Sequence, residues 1–411
     1  MANTGKASAD ELHQQGLSAK RAKDMEQAFA RFRAAADLGH PEARTEGARM
    51  LLYGLGAEAD PPRAVQWFED AERAGNATAA YFLALIGLGN VLVPRDGRID
   101  SRMFAAVRAE YPPALLAAAV KFGRHSAPGA QALCIDLLHR SAARGNPLAA
   151  ALLEPRLRNG EGCPPDPGAA DALRGSLAAF GVEPLPSTSC GLPAPSTPAP
   201  NRLEFGDAWQ LPETRRLSHA PDVVIAPRLL SADECRLLMA IARPQLRKSQ
   251  IIDPSGSESI DHPIRTSSDA NFDPVFEDFT LRLLQARMAG LAGVDFTWAE
   301  PLIVLRYAPG EEYRPHRDYI APSALAERRP EAGNRAATVC AYLNDVEAGG
   351  ATRFPVADVT VPPRAGAAIA FRNLGTDGQP DPDSLHAGLP VERGEKWLAT
   401  LWLRQHRCRG F

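Results

Sequence analysis

Up to about residue 181 the apolar positions recur every three or four residues, the spacing of one face of a helix, and from residue 300 to 404 they recur every second residue, as in a strand. The helical part repeats itself. HPEARTEGA at 40, NATAAYFLA at 76, YPPALLAAA at 111 and NPLAAALLE at 146 begin 36, 35 and 35 residues apart. Ahead of the first two, EQAFARFRAAADLG and PRAVQWFEDAERAG place Ala28 and Phe32 in step with Ala64 and Phe68. Small residues such as Ala43, Ala79, Ala114 and Ala149 allow close helix approach, with Phe32, Trp67 and Phe68 filling the grooves. Gly39, Gly75 and Gly145 stand where a helix needs a left-handed residue to stop. The pattern predicts stacked helix hairpins, ending in a partial unit, NGEGCPPDPGAADALRGSLAAFG; the third unit, around VPRDGRIDSRMF, departs from the rest.

Residues 182–205 carry six prolines among Ser, Thr and Ala and read as an extended linker. Beyond it, Ser231 with Glu234 predicts a capping box before CRLLMAIA, and Asp273-Pro274 predicts the opening of a helix that stops near Gly290. Then come period-two runs: EPLIVLRY, YRPHRDY, AATVCAYL, ATRFP, DVTVP, GAAIAFR, SLHAGLPV and KWLATLWLR, punctuated by Gly, Pro, Asn and Asp. This succession suits a jelly roll, a double-stranded β-helix with flanking helices. The chain therefore reads as multidomain: helical repeats over 1–181, the linker over 182–205, and a β domain over 206–411.

Composition changes this picture little. The 46 basic and 49 acidic residues are interspersed, for a net charge of −3, which argues against a nucleic-acid partner. No apolar run approaches the roughly 18 residues of a membrane span, and the first residues lack a signal-peptide core, so no membrane association and a cytoplasmic location are expected. Six cysteines with no CxxC spacing predict reduced thiols rather than disulfides or structural zinc.

The candidate chemistry starts in YRPHRDYI, where His316, Arg317 and Asp318 mimic a kinase catalytic loop. Five residues past Asp318 stands Ser323 rather than asparagine, and there is no DFG, so that reading fails. On a strand, alternation points His316 and Asp318 the same way as two metal ligands. Two histidines and one carboxylate make a facial triad with open coordination positions, and His386 in SLHAGLPV can supply the third ligand. Lys396 opens the last strand; facing an apolar interior, it needs an anion, which a dicarboxylate would provide. Because ligating histidines must be neutral, metal affinity is expected to fall below about pH 6.5.

These residues, with VVIAPRLLSADECRLLMAIARPQLRKSQIID, PIRTSSDANF, TVCAYLNDVEAGGATRFP and RNLGTDGQPDPDSLHAGLPVERGEKWLATLWLR, resemble the prolyl 4-hydroxylase branch of the Fe(II)- and 2-oxoglutarate-dependent dioxygenases over residues 221–405. The resemblance implies that His316, Asp318 and His386 bind Fe(II) and that Lys396 pairs with the 5-carboxylate of 2-oxoglutarate. It also places Tyr307 and Thr352 in the cosubstrate pocket and Arg265 in a substrate-side loop, with O2 as second cosubstrate and ascorbate as reductant. One departure follows Asp318, where IAPSALAERRPEAGNR replaces the usual turn beside the pocket mouth. The first 181 residues are similar to SEL-type, tetratricopeptide-like repeats, with the Tyr-Gly-x-Gly-x-x-x-Asp stretch at 53–60, and such arrays bind proteins. The leading expectation is hydroxylation of a prolyl residue in a protein or peptide, with a protein partner recruited by the repeats. Hydroxylation of a free amino acid or other small molecule, and a scaffold that senses iron or 2-oxoglutarate, are the alternatives.

Overall fold

The computed structural model describes residues 7–179, 185, 203–249, 251–252, 259–260 and 265–411; the predicted linker, apart from Leu185, and Cys190 lie outside the described residues. Two compact units are present: Met1–Ala114 with Gly410–Phe411, and Leu115–Arg409.

The first unit is built of helices α1 (Ala9–Arg21), α2 (Met25–Asp37), α3 (Pro41–Tyr53), α4 (Pro61–Arg73), α5 (Ala77–Gly87) and α6 (Arg98–Arg108), each packed on the next. The repeated residues are the buried ones: Ala28, Phe32, Ala43, Ala64, Phe68 and Ala79 have no exposed surface. Phe68 stacks on Phe82 at 5.3 Å between ring centroids, so one aromatic fills the groove of the next pair. Gly39 and Gly75 adopt φ of +90° and +86° just past α2 and α4, the stop that the repeat required. The divergent third unit still forms a helix, α6, which lacks a side-chain cap and is tied instead by Arg102 to Glu72 at 2.7 and 3.0 Å.

In the second unit, α7 (Pro112–Gly123, whose first turn spans the division), α8 (Pro128–Ala143), α9 (Pro147–Asn159) and α10 (Pro167–Ala179) continue the helical hairpins, and α9 packs on α11 (Ala232–Ala242). Ser231 caps α11 with the expected capping box. Its first turn holds Asp233 and Glu234, both buried and both met by arginines of the helical part. Arg156 of α9 donates to Asp233 at 3.0 and 3.1 Å. Arg124 and Arg287 converge on Glu234, and Arg236 reaches Glu161 at 2.6 and 2.7 Å. Carboxylates this deeply buried persist only when paired and hydrogen-bonded, so the last repeats and α11 belong to one compact unit. Its boundary at 114/115 is far from the change of composition near 181.

The strands are β1 (Arg215–His219), β2 (Asp222–Ala226), β3 (Arg247–Lys248), β4 (Ile251–Ile252), β5 (Ser259–Ile260), β6 (Ser268–Asn271), β7 (Ile303–Tyr307) and β8 (Tyr313–His316). There follow β9 (Arg335–Tyr342), β10 (Ala348–Gly349), β11 (Thr352–Phe354), β12 (Val359–Val361), β13 (Ala368–Arg372), β14 (His386–Gly388), β15 (Val391–Arg393) and β16 (Lys396–Arg404). A large sheet, ordered β1-β2-β13-β9-β16-β7-β6-β3, faces a small one, β12-β11-β14-β8; β10 pairs with β15 and β4 with β5. All pairings are antiparallel among the described residues. Alternation sorts each strand. In β16, Trp397, Ala399, Leu401 and Leu403 join the core beneath α11 and α12 (Phe279–Leu291), whereas Leu398 joins Tyr307, Tyr342, Phe354 and Phe371 between the sheets. Lys396, Thr400 and Trp402 share the Leu398 parity, and that sends a lysine inward.

Two predicted elements differ. Asp273-Pro274 opens only a short 3-10 turn, and α12 begins after Asp278, whose side chain caps Leu281 N at 2.8 Å, because Glu277 is extended and buried in an ion pair with Arg409. SLHAGLPV splits into β14 and β15, which belong to different sheets. Pro390 lies between them and has no N–H to extend a ladder. Among the described residues no helix is long and apolar enough to cross a membrane.

Candidate active site

The small sheet carries the metal-type residues. In the β8–β14 pair, His316 and His386 are cross-strand partners, with ring centroids 4.2 Å apart. Asp318 lies two residues past the end of β8, so strand alternation alone does not place it. Its Oδ2 accepts a 2.7 Å hydrogen bond from Thr338 Oγ1, which in turn accepts from Asn373 Nδ2 at 2.9 Å. Both inward positions, on β9 and just past β13, thus orient the carboxylate. Asp318 Oδ1 is 3.7 Å from His316 Nε2 and Oδ2 is 3.7 Å from His386 Nε2. Donor atoms of the three side chains all lie within 4.8 Å of one another, close to the span of two metal bonds of about 2 Å.

The donor chemistry fits a divalent metal. Each histidine places Nδ1 against a backbone carbonyl, His316 on Arg314 O at 2.8 Å and His386 on Ser384 O at 2.9 Å. Nδ1 therefore carries the proton, and the lone pair of Nε2 faces the cluster. Burial, reinforced by His386 and opposed by Asp318, lowers the His316 pKa to about 3. Burial alone would raise the Asp318 pKa, but His386, His316 and Arg335 outweigh it and keep the carboxylate ionised. Arg317, between the two ligands, turns away and donates to Pro382 O at 2.8 Å.

The facing sheet supplies a cation. Lys396 is 2% exposed and is the register partner of Tyr307. Its Nζ lies 5.2 Å from the Tyr307 ring and 5.7 Å from the Tyr342 ring. Among the described residues no carboxylate pairs with it and no hydrogen bond satisfies it. Burial lowers its pKa to about 8. A buried ammonium left without an anion is a site for one. Thr352 is buried and accepts from Tyr342 OH at 2.8 Å, and burial pushes the Tyr307 and Tyr342 phenols above their usual values. The neighbouring Gly349 has φ +77°, and a Cβ there would meet Pro390 O at 2.3 Å, which keeps the turn into β11 tight.

Arg265 is buried, bridges to Tyr313 through the backbone and holds its guanidinium 5.4 Å from the Tyr313 ring, with Nε unpaired. Tyr313 stacks on His316 at 3.4 Å, which brings Arg265 near the ligand set from outside it. Sequence reasoning missed Thr338, Asn373, Tyr342 and Tyr313. The parity of β9, in which Thr338 and Tyr342 fall on the Cys340 face, was the available signal for two of them.

Two facing antiparallel sheets, with two histidines on one, an aspartate just past its edge strand and an unpaired buried lysine on the other, define an oxygenase dependent on a metal and a dicarboxylate. A model of the 2OG-Fe(II) oxygenase superfamily matches residues 302–404. Prolyl 4-hydroxylase 1 of Arabidopsis thaliana is 36% identical over 203 residues, covering 46% of this chain and 71% of the relative. The chain belongs to the prolyl 4-hydroxylase family and is a 2-oxoglutarate-dependent dioxygenase that works with Fe(II), 2-oxoglutarate and O2. Among solved structures, the viral collagen prolyl hydroxylase of Paramecium bursaria Chlorella virus-1, in its 2OG complex, is 26% identical, with 44% of this chain and 95% of that chain covered at a TM-score of 0.35. A Sel1 repeat protein from Oxalobacter formigenes is similar at 19% identity, covering 44% of this chain and 76% of that one, with a TM-score of 0.36.

Proposed function

We propose that this protein hydroxylates a prolyl residue of a protein or peptide, with His316, Asp318 and His386 holding Fe(II) and Lys396 holding the far carboxylate of 2-oxoglutarate. The observation that carries this reading is the placement of the three donors opposite an unpaired, buried ammonium. When bound, the iron with 2-oxoglutarate and O2 supplies hydroxylation of a C–H bond, one oxygen atom going to the product and the other to succinate as CO2 leaves. The chain's own residues bind and orient. Thr338 and Asn373 hold the Asp318 carboxylate, the Arg314 and Ser384 carbonyls set the histidine tautomers, and Tyr307 and Thr352 border the Lys396 pocket. Phe354 and Phe371 pack against His386 and limit access of water. Ascorbate is proposed as the reductant that keeps the metal ferrous. The helical repeats are proposed to bind a protein partner; a groove of about 470 Å3 lined by Gly75, Ala77, Ala80, Ala105 and the Glu72–Arg102 pair offers one surface for it.

The test incubates the full chain with Fe(II), 2-oxoglutarate, ascorbate and proline-containing peptides. Succinate formation should be coupled to a peptide mass gain of about 16 Da, the mass of one oxygen atom. Turnover should vanish in His386→Ala. Normal turnover by that variant would refute the site, and succinate formed with free proline alone would refute the peptide reading.

A further inference from the structure

The loop that departs from the family pattern builds a second charged feature. A cavity of about 250 Å3 is lined by Arg328, Arg329, Arg335 and Arg404 around one acid, Glu300, with Ile320 on its wall. Glu300 is already committed: Arg335 reaches it at 2.8 and 2.9 Å and Arg404 at 3.2 Å. The nearby Glu327 and Glu331 are exposed and do not line the cavity. Four arginines therefore line a cavity that holds a single carboxylate, two of them already paired with it, and among the described residues the side chain of Arg328 has neither a hydrogen bond nor an ion pair. Burial and repulsion from Arg335 hold its pKa below the usual arginine value, with Glu300 compensating in part.

The arrangement is pinned. Arg404 donates to the carbonyls of Arg328 and Arg329, and Arg329 donates to Cys408 O at 3.1 Å. Arg329 itself sits at φ +51°, a left-handed conformation that a long side chain adopts only where its surroundings impose it. The cavity also lies beside the ligand set. Ile320 follows Asp318 by two residues, and Arg335 donates to Asp318 O at 3.4 Å while covering the Trp402 ring at 3.6 Å.

We propose that this cavity is a substrate subsite for a carboxylate, the side chain of an aspartate or glutamate that flanks the hydroxylated residue. The proposal rests on the reading that the substrate is a peptide. Guanidinium forks pair bidentately with carboxylates, and an excess of positive charge in a partly enclosed space draws an anion. The volume is below the roughly 300 Å3 at which drug-sized pockets begin, a size for one side chain rather than a whole ligand. Lys396 opens β16 and Arg404 closes it, so 2-oxoglutarate has its own cation at the far end of that strand and the arginines are not needed for the cosubstrate.

The test uses fluorescein-labelled peptides with a central proline, carrying glutamate at each position from three before to three after it, and their glutamine and lysine twins. Hydroxylation and anisotropy binding are measured in parallel on the full chain, Arg328→Gln and Arg328→Glu. At one position or more the glutamate peptide should exceed its glutamine twin at least tenfold in kcat/KM. That preference should collapse in Arg328→Gln and turn toward the lysine twin in Arg328→Glu. Equal kcat/KM and equal binding of the twins, or a preference that survives both substitutions, overturns the subsite, as does competition by inorganic phosphate without any peptide preference. Binding of the glutamate peptide that depends on Arg328 without hydroxylation upholds the subsite and refutes the hydroxylase reading instead.

Discussion

Replacing Lys396 with methionine should make the cosubstrate-free protein more stable while destroying its affinity for 2-oxoglutarate. Burial lowers this lysine from 10.5 to about 8. At about 1.36 kcal/mol per pKa unit, the folded protein carries a penalty on the order of 3 kcal/mol at pH 7. The sign follows from the folded value lying below the unfolded one. The full cost is present below pH 8, where both states are protonated; it shrinks as pH rises toward 10.5 and is gone above that. Methionine keeps most of the volume and removes the charge, so the metal-free, cosubstrate-free variant should melt about 6–12 °C higher at pH 7, at 2–4 °C per kcal/mol. The same substitution leaves the far carboxylate of 2-oxoglutarate buried without a cation, a loss of about 3–5 kcal/mol or more than a hundredfold in Kd. Differential scanning fluorimetry and calorimetric titration of 2-oxoglutarate into the metal-loaded protein measure the two effects. In the wild type, affinity should be flat up to pH 8 and fall above it as the free lysine deprotonates. A variant that melts lower than wild type at pH 7, or one that binds 2-oxoglutarate normally, would refute the reasoning.

Two further outcomes are expected. Thr338→Val removes the 2.7 Å hydrogen bond that orients Asp318, so Fe(II) affinity, read by chelator competition, should fall about 10- to 100-fold, with Thr338→Ser restoring it; unchanged affinity would show that the carboxylate is positioned otherwise. Asp233→Ala strips Arg156 and Arg236 of a buried partner and should cost about 3–5 kcal/mol in chemical denaturation, part of which returns when Arg156→Met is added; a loss below 1 kcal/mol, the scale of an exposed pair, would mean that water reaches this network.

Much of the architecture can be read from local pattern. The repeat period predicts the helices, and alternation predicts most of the strands, because each follows from which neighbours along the chain share a face. His316 and His386 are legible once both are placed on strands, and the structure makes them direct cross-strand partners. Asp318 is less so, since it lies off the strand and owes its direction to Thr338, 20 residues away. The start of α12 is not legible from local pattern because Asp273 and Asp278 both offer caps, and only the burial of Glu277 against Arg409 chooses between them. The packing of α9 on α11 is hidden for the same reason: it depends on Arg156 meeting Asp233, 77 residues on.

The order of residues thus determines element types, the donor set and the lysine with its inward parity, all of which are properties of spacing along one chain. Folding decides what those groups are worth. Lys396 is an unremarkable strand residue until Tyr307 and Tyr342 close over it and remove its water. Arg328 is an ordinary loop arginine until Arg404, remote in sequence, is held beside it together with Arg335 from the end of its own loop. Charge energies depend on desolvation and on the distance to partners, and packing sets both.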